Sequence, residues 1–339
     1  MKILVGLSGG LDSTYVAYLL KNKGHEVTGA AVVMHEWTDV SAAKEAAEFL
    51  KIPFVEIDMK SAFEREVILP FCDAYIHAKT PNPCIFCNPR IKFAALCDYA
   101  ESNGFDKVAT GHYSEIFSEN GRYYIHSATD KTRDQSYVLW GLSQKQLSML
   151  TLPLAGLVKS DIREKARALG IKAADAAESR EICFIPSNDY ADYIQHRTGK
   201  TFSEGDFLDE DGKVVGRHKG IIHYTIGQRK GLGLAMNGHV FVNKIDAENN
   251  TVTVVREGKE FTSSAVVSGL NYQKSAPFEG SLRTLVKIRY AAKPAWAEVV
   301  IENGVASVIF DTPARAVTPG QSAVFYDENG DLLFGGIFE

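Results

Sequence analysis

Apolar residues recur along this chain in two different rhythms, and the change falls near Lys200. Before it, short apolar runs at Ile3–Leu7, Glu26–Met34, Ile52–Asp58 and Asp106–His112 read as strands. Between them, helical spacing runs from Asp12 to a glycine stop near Gly24, over Ser41–Leu50, over Phe63–His77 and from Ile91 to about Ser102. Strand and helix in alternation predict an α/β unit with a doubly wound parallel sheet. A hairpin strand at Arg122–Ser127 and helices at Lys145–Leu150, Ser160–Leu169 and Asp189–Arg197 complete this half, with Ser160 and Gly170 as the caps of the second helix. Beyond Lys200 the spacing is that of short strands between Gly, Asn and Asp turns, at Val214–Gly216, His239–Ile245, Thr251–Arg256, Leu282–Arg289, Ala297–Ile301, Ala306–Phe310 and Ser322–Tyr326. These predict a small central domain and a C-terminal β-barrel of about six strands. The expected division is 1–199, 200–262 and 263–339.

The first fourteen residues carry the chemistry. Ser8, Gly9 and Gly10 make a turn open only to small residues, and Asp12, Ser13 and Thr14 then start a helix. Strand, glycine turn and helix N-terminus form an anion cradle: free backbone N–H groups point out of the turn and the helix dipole favours negative charge. No Lys-Ser or Lys-Thr follows the glycines, so this is not a Walker A loop. A turn of Ser, Gly, Asp and Ser suits holding a pyrophosphate while an α-phosphate is attacked. In a doubly wound sheet the ligand lies at the carboxyl ends of the strands, which places Met34 near an adenine.

Lys79–Arg90 has a different texture. Pro81, Pro83 and Pro89 predict a stiff loop without helix or strand, and that loop carries Cys84 and Cys87. Cys183 is distant in sequence, after the polar run Glu178–Glu181; Cys72 and Cys97 fall on expected helices and read as small core residues.

Composition narrows the class. With 339 residues, 45% hydrophobic and 23% charged, the chain has an ordinary soluble composition. No apolar run reaches spanning length and no signal-peptide pattern opens the chain, so a cytoplasmic protein without a membrane partner is expected. A net charge of −5 argues against a nucleic-acid coat but allows an RNA enzyme with a local basic groove. Such a groove is expected around Tyr224–Leu232 with His218, Lys219 and His223. Five cysteines in such a chain do not predict a disulfide framework. Half a zinc site, a sulfur-handling thiol pair and an iron–sulfur ligand set remain open for Cys84, Cys87 and Cys183. A pyrophosphate loop with separated thiols suggests one reaction: ATP converts a carbonyl oxygen into an adenylate, and sulfur displaces AMP.

Ser8–Ser13 resembles the pyrophosphate loop of the N-type ATP pyrophosphatases. The resemblance sharpens with Thr80–Asn88, Ile91–Phe93, Ala109–Tyr113, Asp134–Tyr137, Ile182–Ile185, Gly216–Gly220, Tyr224–Leu232 and Pro319–Gln321, which look like the signature blocks of tRNA-specific 2-thiouridylases, in the family's order and over nearly the whole chain. It implies a pyrophosphatase domain, a central domain and a β-barrel, and 2-thiolation of the wobble uridine of certain tRNAs with ATP and Mg2+. Carried over by position, Gly6, Leu7, Ser8, Gly9, Gly10, Leu11, Asp12, Ser13, Met34 and Gly111 would bind ATP. Cys183 would carry a persulfide, and Cys87 would release its sulfur through a transient disulfide with Cys183. Asn82, Pro83 and Cys84 would face the target base. His112, Arg133, Asp134, Gln135, Arg289, Tyr290 and Gln321 would touch tRNA. No desulfurase domain is visible, so a separate sulfur donor is implied, either a cysteine desulfurase, a sulfur-relay protein or free sulfide.

Two departures matter. Many relatives have Asp where this chain has Cys84, so Cys84, Cys87 and Cys183 match the three-thiol set of cluster-dependent tRNA thiolases, and a [4Fe–4S] cluster competes with the persulfide route. Glu181 stands where the family has glycine. Two further classes stay open: a ligase using ammonia, which would not need Cys183, and an ATP-sensing RNA-binding protein, which would not release AMP.

Overall fold

The computed structural model describes residues 1–175, 182–236 and 238–339. β1 (Lys2–Gly6), α1 (Leu11–Asn22), β2 (Glu26–Val33), α2 (Ser41–Leu50) and β3 (Phe54–Asp58) alternate as the apolar runs require. A helical stretch follows as α3 (Lys60–Phe63), a π turn at Glu64–Ile68 and α4 (Leu69–Ile76). Then come α5 (Pro83–Cys87), a second π turn at Asn88–Lys92, α6 (Phe93–Ser102), β4 (Lys107–Ala109), the hairpin β5 (Ser114–Glu119) and β6 (Arg122–Ser127), α7 (Gln144–Met149), β7 (Leu150–Thr151), α8 (Lys159–Ala168) and α9 (Tyr190–Thr198).

The sheet is parallel throughout in the order β3-β2-β1-β4-β7. Along β1, Ile3 and Val5 pack into one core with α1, α2 and α8, while Leu4 faces the other way into a core with α6 and β4. A strand covered on both faces has no polar side, which is why β1 is an unbroken apolar run. The strand order reverses between β1 and β4, where such sheets open a crevice.

Two expectations fail here. The proline stretch is not a loop: Asn82 Oδ1 accepts from the Cys84 N–H at 3.1 Å, and Pro83 takes the first helical position, where its missing N–H costs nothing. Pro89 sits at the start of the π turn that continues into α6, a turn type that absorbs an irregular residue without ending the helix. Ser160 is not the cap of its helix; α8 begins one residue earlier, at Lys159 after Val158, and the Ser160 hydroxyl turns to Asp161 Oδ1 at 3.1 Å.

The second half is built of strands with one short 3-10 turn at Ile221–His223: β8 (Gly205–Leu208), β9 (Val214–His218), β10 (Val240–Asp246) and β11 (Thr251–Arg256) form one sheet. β12 (Phe261–Tyr272), β13 (Gly280–Lys287), β14 (Ala295–Glu302), β15 (Val305–Arg315), β16 (Ser322–Tyr326) and β17 (Leu332–Phe338) close a barrel of six strands in the order β12-β15-β14-β13-β16-β17. The units share cores. Val324, Tyr326 and Leu332 of the barrel pack with Leu139, Trp140 and Phe93, and Phe207, Tyr224 and Val242 pack with Phe63, Phe71, Cys87 and Phe184. Tyr137 donates to the Ser322 carbonyl at 2.9 Å and Trp140 Nε1 to Ser322 Oγ at 2.9 Å, both in the buried seam. Cys72 and Cys97 are core residues as expected, and burial pushes both thiols up to about 11. Among the described residues no helix is long and apolar enough to cross a membrane.

A pyrophosphate loop and three thiols beside one cleft

The loop after β1 is built by hydrogen bonds that short side chains alone can make. Ser13 Oγ accepts from the Ser8 N–H at 3.1 Å and donates to the Gly10 carbonyl at 3.1 Å, and Thr14 Oγ1 donates to the same carbonyl at 2.9 Å. Gly10 is the N-cap of α1 and supplies no side chain, so the first N–H groups of the helix stay open to an anion. Gly9 holds φ at +76°, and a Cβ there would lie 2.4 Å from the Ala42 carbonyl carbon in α2. Gly111 meets the loop from the β4 side: a Cβ would fall 2.9 Å from both Asp12 Cβ and the Ser13 nitrogen.

A cleft of about 340 Å³ opens above these residues. Gly6, Leu7, Ser8, Asp12, Ser13, Met34, Gly111, His112 and Gln135 lie on its wall. Gly9, Gly10 and Leu11 shape the turn without lining the cleft; Leu11 is buried in the core behind it. Lys92, from the Ile91–Phe93 block, lines the cleft as well, as do Thr38 and Asp39, which belong to none of the signature blocks.

Asp12 is clamped from two distant elements. The Tyr113 hydroxyl donates to Oδ1 at 2.7 Å, and Lys159 Nζ donates to Oδ2 at 2.5 Å. The Lys159 side chain is 10% exposed and Asp12 28%. Breaking a fully buried pair costs about 3–5 kcal/mol; with Asp12 partly solvated we expect Lys159→Met to lose about 2 kcal/mol. Urea unfolding measures this, and the double variant Lys159→Met/Asp12→Asn should recover part of the loss.

The thiols gather at the cleft's edge. Cys87 is 5% exposed, and its Sγ lies 3.7 Å from Met34 Sδ. Cys84 and Cys183 are exposed. Burial pushes the Cys87 thiol up to about 12, against the pull of the Lys92 charge; Cys183 and Cys84 push it the same way as burial. The atoms packed around the Cys183 thiol raise it too, again opposed by Lys92 and aided by Cys84. Burial would draw the Lys92 ammonium down, but the charges of Cys87, Cys84 and Cys183 outweigh it and the group is held cationic. The three cysteines and Lys92 are therefore one electrostatic unit, assembled from α5, the π turn and the segment before α9. All five cysteines are free. Among the described residues no group of three or more Cys, His, Asp or Glu side chains is arranged to hold a metal ion.

His112 Nδ1 pairs with Thr110 Oγ1 at 2.8 Å, and its ring packs on Phe93 at 5.5 Å. Burial, helped by the Lys92 charge, lowers its pKa to about 3. It is thus neutral at pH 7 and offers hydrogen bonds, not charge. A base whose folded pKa is depressed gives stability that is complete above its unfolded value near 6.5 and lost as pH falls toward 3. Thermal stability should therefore drop between pH 6.5 and 4, and His112→Asn should flatten part of that drop.

The other residues expected to meet tRNA lie on one face or are engaged within the protein. Asp134 accepts from the Ala128 N–H at 3.0 Å and the Ser136 hydroxyl at 2.7 Å, and Gln135 Oε1 accepts from the Tyr113 N–H at 3.0 Å. Tyr290 is 43% exposed, and its phenol is raised by burial and by Asp134, with Arg133 opposing and Cys84 adding, so these four residues are neighbours. Arg289 is exposed beside it. Gln321 Nε2 donates to the Thr80 carbonyl at 2.7 Å, tying the barrel to the chain just before Asn82. Pro83 is buried, whereas Cys84 beside it is not. The expected basic groove is corrected at His218: it is 1% exposed, Nδ1 accepts from the Gly220 N–H at 3.1 Å and Nε2 pairs with the Asn250 carbonyl at 3.0 Å, so the ring is a core bracket. Glu181 lies outside the described residues.

Fold and cleft define an N-type pyrophosphatase architecture with thiols at its rim and a β-barrel seated against it. Three family models match in sequence, described as a tRNA methyl transferase HUP domain over residues 1–187, a tRNA methyl transferase PRC-barrel domain over 191–256 and an aminomethyltransferase beta-barrel domain over 262–338. The tRNA-specific 2-thiouridylase MnmA 1 of Clostridium tetani is 43% identical over 350 residues, covering 100% of this chain and 96% of that protein. The tRNA-specific 2-thiouridylase MnmA of Acetivibrio thermocellus is 41% identical over 353 residues, covering 99% and 98%. The chain belongs to the tRNA-specific 2-thiouridylase family.

Proposed function

We propose that this protein uses ATP to replace the 2-oxygen of the wobble uridine of tRNA with sulfur, releasing AMP and pyrophosphate. The observation that carries this reading is a pyrophosphate cradle on a cleft whose wall residues Met34 and Lys92 reach the neighbouring thiols. Methyl transfer, the activity in the family models' descriptions, calls for neither feature.

The uridine O2 attacks the α-phosphorus of ATP, and pyrophosphate leaves into the N–H groups at the start of α1. Asp12 and Asp39, the carboxylates on the cleft wall, fit a magnesium ion that would neutralise the phosphates. The terminal sulfur of a Cys183 persulfide then attacks C2 and AMP departs. The Cys87 thiolate attacks the inner sulfur of Cys183, a disulfide forms, and the sulfur stays on the base as C2=S. The disulfide must be reduced before another cycle. Burial keeps Cys87 protonated at rest, which protects the persulfide until Lys92 and the incoming substrate stabilise the thiolate. A neutral His112, Arg133, Arg289 and Tyr290 supply donors and an aromatic face to an RNA loop whose base is turned into the cleft. The sulfur comes from a persulfide donor, whose outer sulfur is taken by the Cys183 thiolate as the donor's own thiolate leaves, and the setting is the cytoplasm, where thiols stay reduced.

The test is pyrophosphate release. With ATP and an RNA hairpin carrying a uridine in its loop, release should be stimulated at least about 10-fold over ATP alone; ATP hydrolysis indifferent to the RNA contradicts the reading. Anaerobic iron analysis accompanies it. Less than one iron per chain is the expected result, and a full four-iron complement with activity tracking it would replace the persulfide route by a cluster.

A further inference from the structure

Trp37, in the turn after β2, keeps 51% of its surface in solvent. Burying that ring in the protein would be favourable, so an exposed tryptophan held in place asks for an explanation. It is held in place. The turn after β2 is closed by Thr38, whose Oγ1 accepts from the Met34 N–H at 3.2 Å and the His35 N–H at 3.0 Å, while the Thr38 N–H donates to the His35 carbonyl at 3.0 Å. The His35 ring lies 4.9 Å from Trp37 at 32°, and on its other side 5.9 Å from the buried Phe63. Phe63 meets Phe184 edge-on at 5.6 Å, and Phe184 follows Cys183. At the start of the same turn, Met34 touches Cys87. The indole is therefore an aromatic face linked ring by ring through His35 and Phe63 to Phe184, the chain neighbour of Cys183, while Met34 at the start of the same turn reaches Cys87. It does not line the cleft that takes ATP.

The geometry points to Trp37, backed by His35, as a stacking platform for an unpaired nucleobase of the substrate RNA, next to the base that reacts. This rests on the RNA reading above. A flat ring with one solvent face suits any base, since every base offers a π-face, and single-stranded loops are where proteins stack bases on aromatic rings. The adenine of ATP is the competing occupant; the ring stacks on His35, whose other contact is Phe63, and is absent from the cleft wall that Thr38 and Asp39 line, which argues for RNA.

Binding of an RNA hairpin with a uridine-containing single-stranded loop, measured by titration, separates the outcomes. Trp37→Ala should weaken it by about 5- to 100-fold, and Trp37→Phe should keep most of the affinity. Indole emission should be quenched by the hairpin in the wild type and much less in Trp37→Phe, because Trp140 is buried and Trp296 lies beneath Arg283 at 5.0 Å. ATP affinity should be unchanged in both variants, which also reports that they are folded. Equal hairpin binding by Trp37→Ala and wild type overturns the platform and leaves the RNA reading standing. A loss confined to ATP, with ATP alone quenching the indole, assigns the ring to adenine and overturns it as well. Failure of the wild type to bind the hairpin overturns the RNA reading and the platform with it.

Discussion

Cys183→Ser should abolish thionucleoside formation, by at least about 1,000-fold, while pyrophosphate release from ATP and RNA continues. The loss is that of a covalent carrier, for which a hydroxyl is no substitute. The activation half survives because the loop, Asp12 and Gly111 do not touch that thiol. Cys87→Ser should also stop turnover, at a later point: sulfur linked to Cys183 should remain attached to the base in a trapped RNA–protein adduct, visible as a shifted band that dithiothreitol removes. Cys84 distinguishes the mechanisms. Its side chain is exposed and only its backbone N–H caps into Asn82, so Cys84→Ser should keep the fold and retain thiolation within about 10-fold. Loss of activity in all three variants together with loss of iron would mean that the thiols act as cluster ligands.

Gly9→Ala should cut kcat/KM for ATP by about 100-fold and leave RNA binding intact. Two costs coincide there. An alanine at φ +76° is held in the left-handed region, at about 1–2 kcal/mol. Its Cβ would stand 2.4 Å from the Ala42 carbonyl carbon and 2.6 Å from the Ala43 nitrogen, both backbone atoms of α2 that cannot step aside. The loop must move instead, and a displacement near 1 Å at a reacting phosphate costs about 100-fold in rate. Calorimetric ATP titration reads the effect directly. An unchanged ATP affinity would mean that the turn does not hold the triphosphate.

How far the chain could be read from its own residues depended on whether the determinant was local. The Ser8–Ser13 turn and α1 were legible because the glycines and short hydroxyl side chains act within five residues of one another. α2, β6, β11 and β16 were legible to the residue, since their periodicity is uninterrupted. The helix at Pro83–Cys87 was misread although its signal was present: Asn82 before Pro83 is an N-cap followed by the one helical position proline favours. β17 escaped because Gly335 and Gly336 look like a turn. They are strand residues with no room for side chains: a Cβ at Gly335 would lie 2.7 Å from the Trp140 ring, and one at Gly336 2.5 Å from Val267. The Lys159–Asp12–Tyr113 clamp, the Lys92 charge among the thiols and the Trp37 face were not legible at all. The clamp's partners are 101 and 147 residues apart, Lys92 meets Cys183 only through the fold, and the exposure of Trp37 is a property of the folded surface, so no local rule reaches them. His218 shows the converse, since a histidine among basic residues reads as a ligand for phosphate until its two nitrogens are found on backbone groups.

The central claim is that one cleft first activates a uridine with ATP and then delivers sulfur to it. A single-turnover reaction tests it most directly: protein preloaded with isotopically labelled persulfide at Cys183, mixed anaerobically with ATP and an unmodified tRNA bearing a wobble uridine, and digested to nucleosides for mass spectrometry. The account predicts labelled 2-thiouridine and AMP in equal amounts, with neither formed when ATP is omitted. AMP without labelled thiouridine, or thiouridine without ATP, would contradict it.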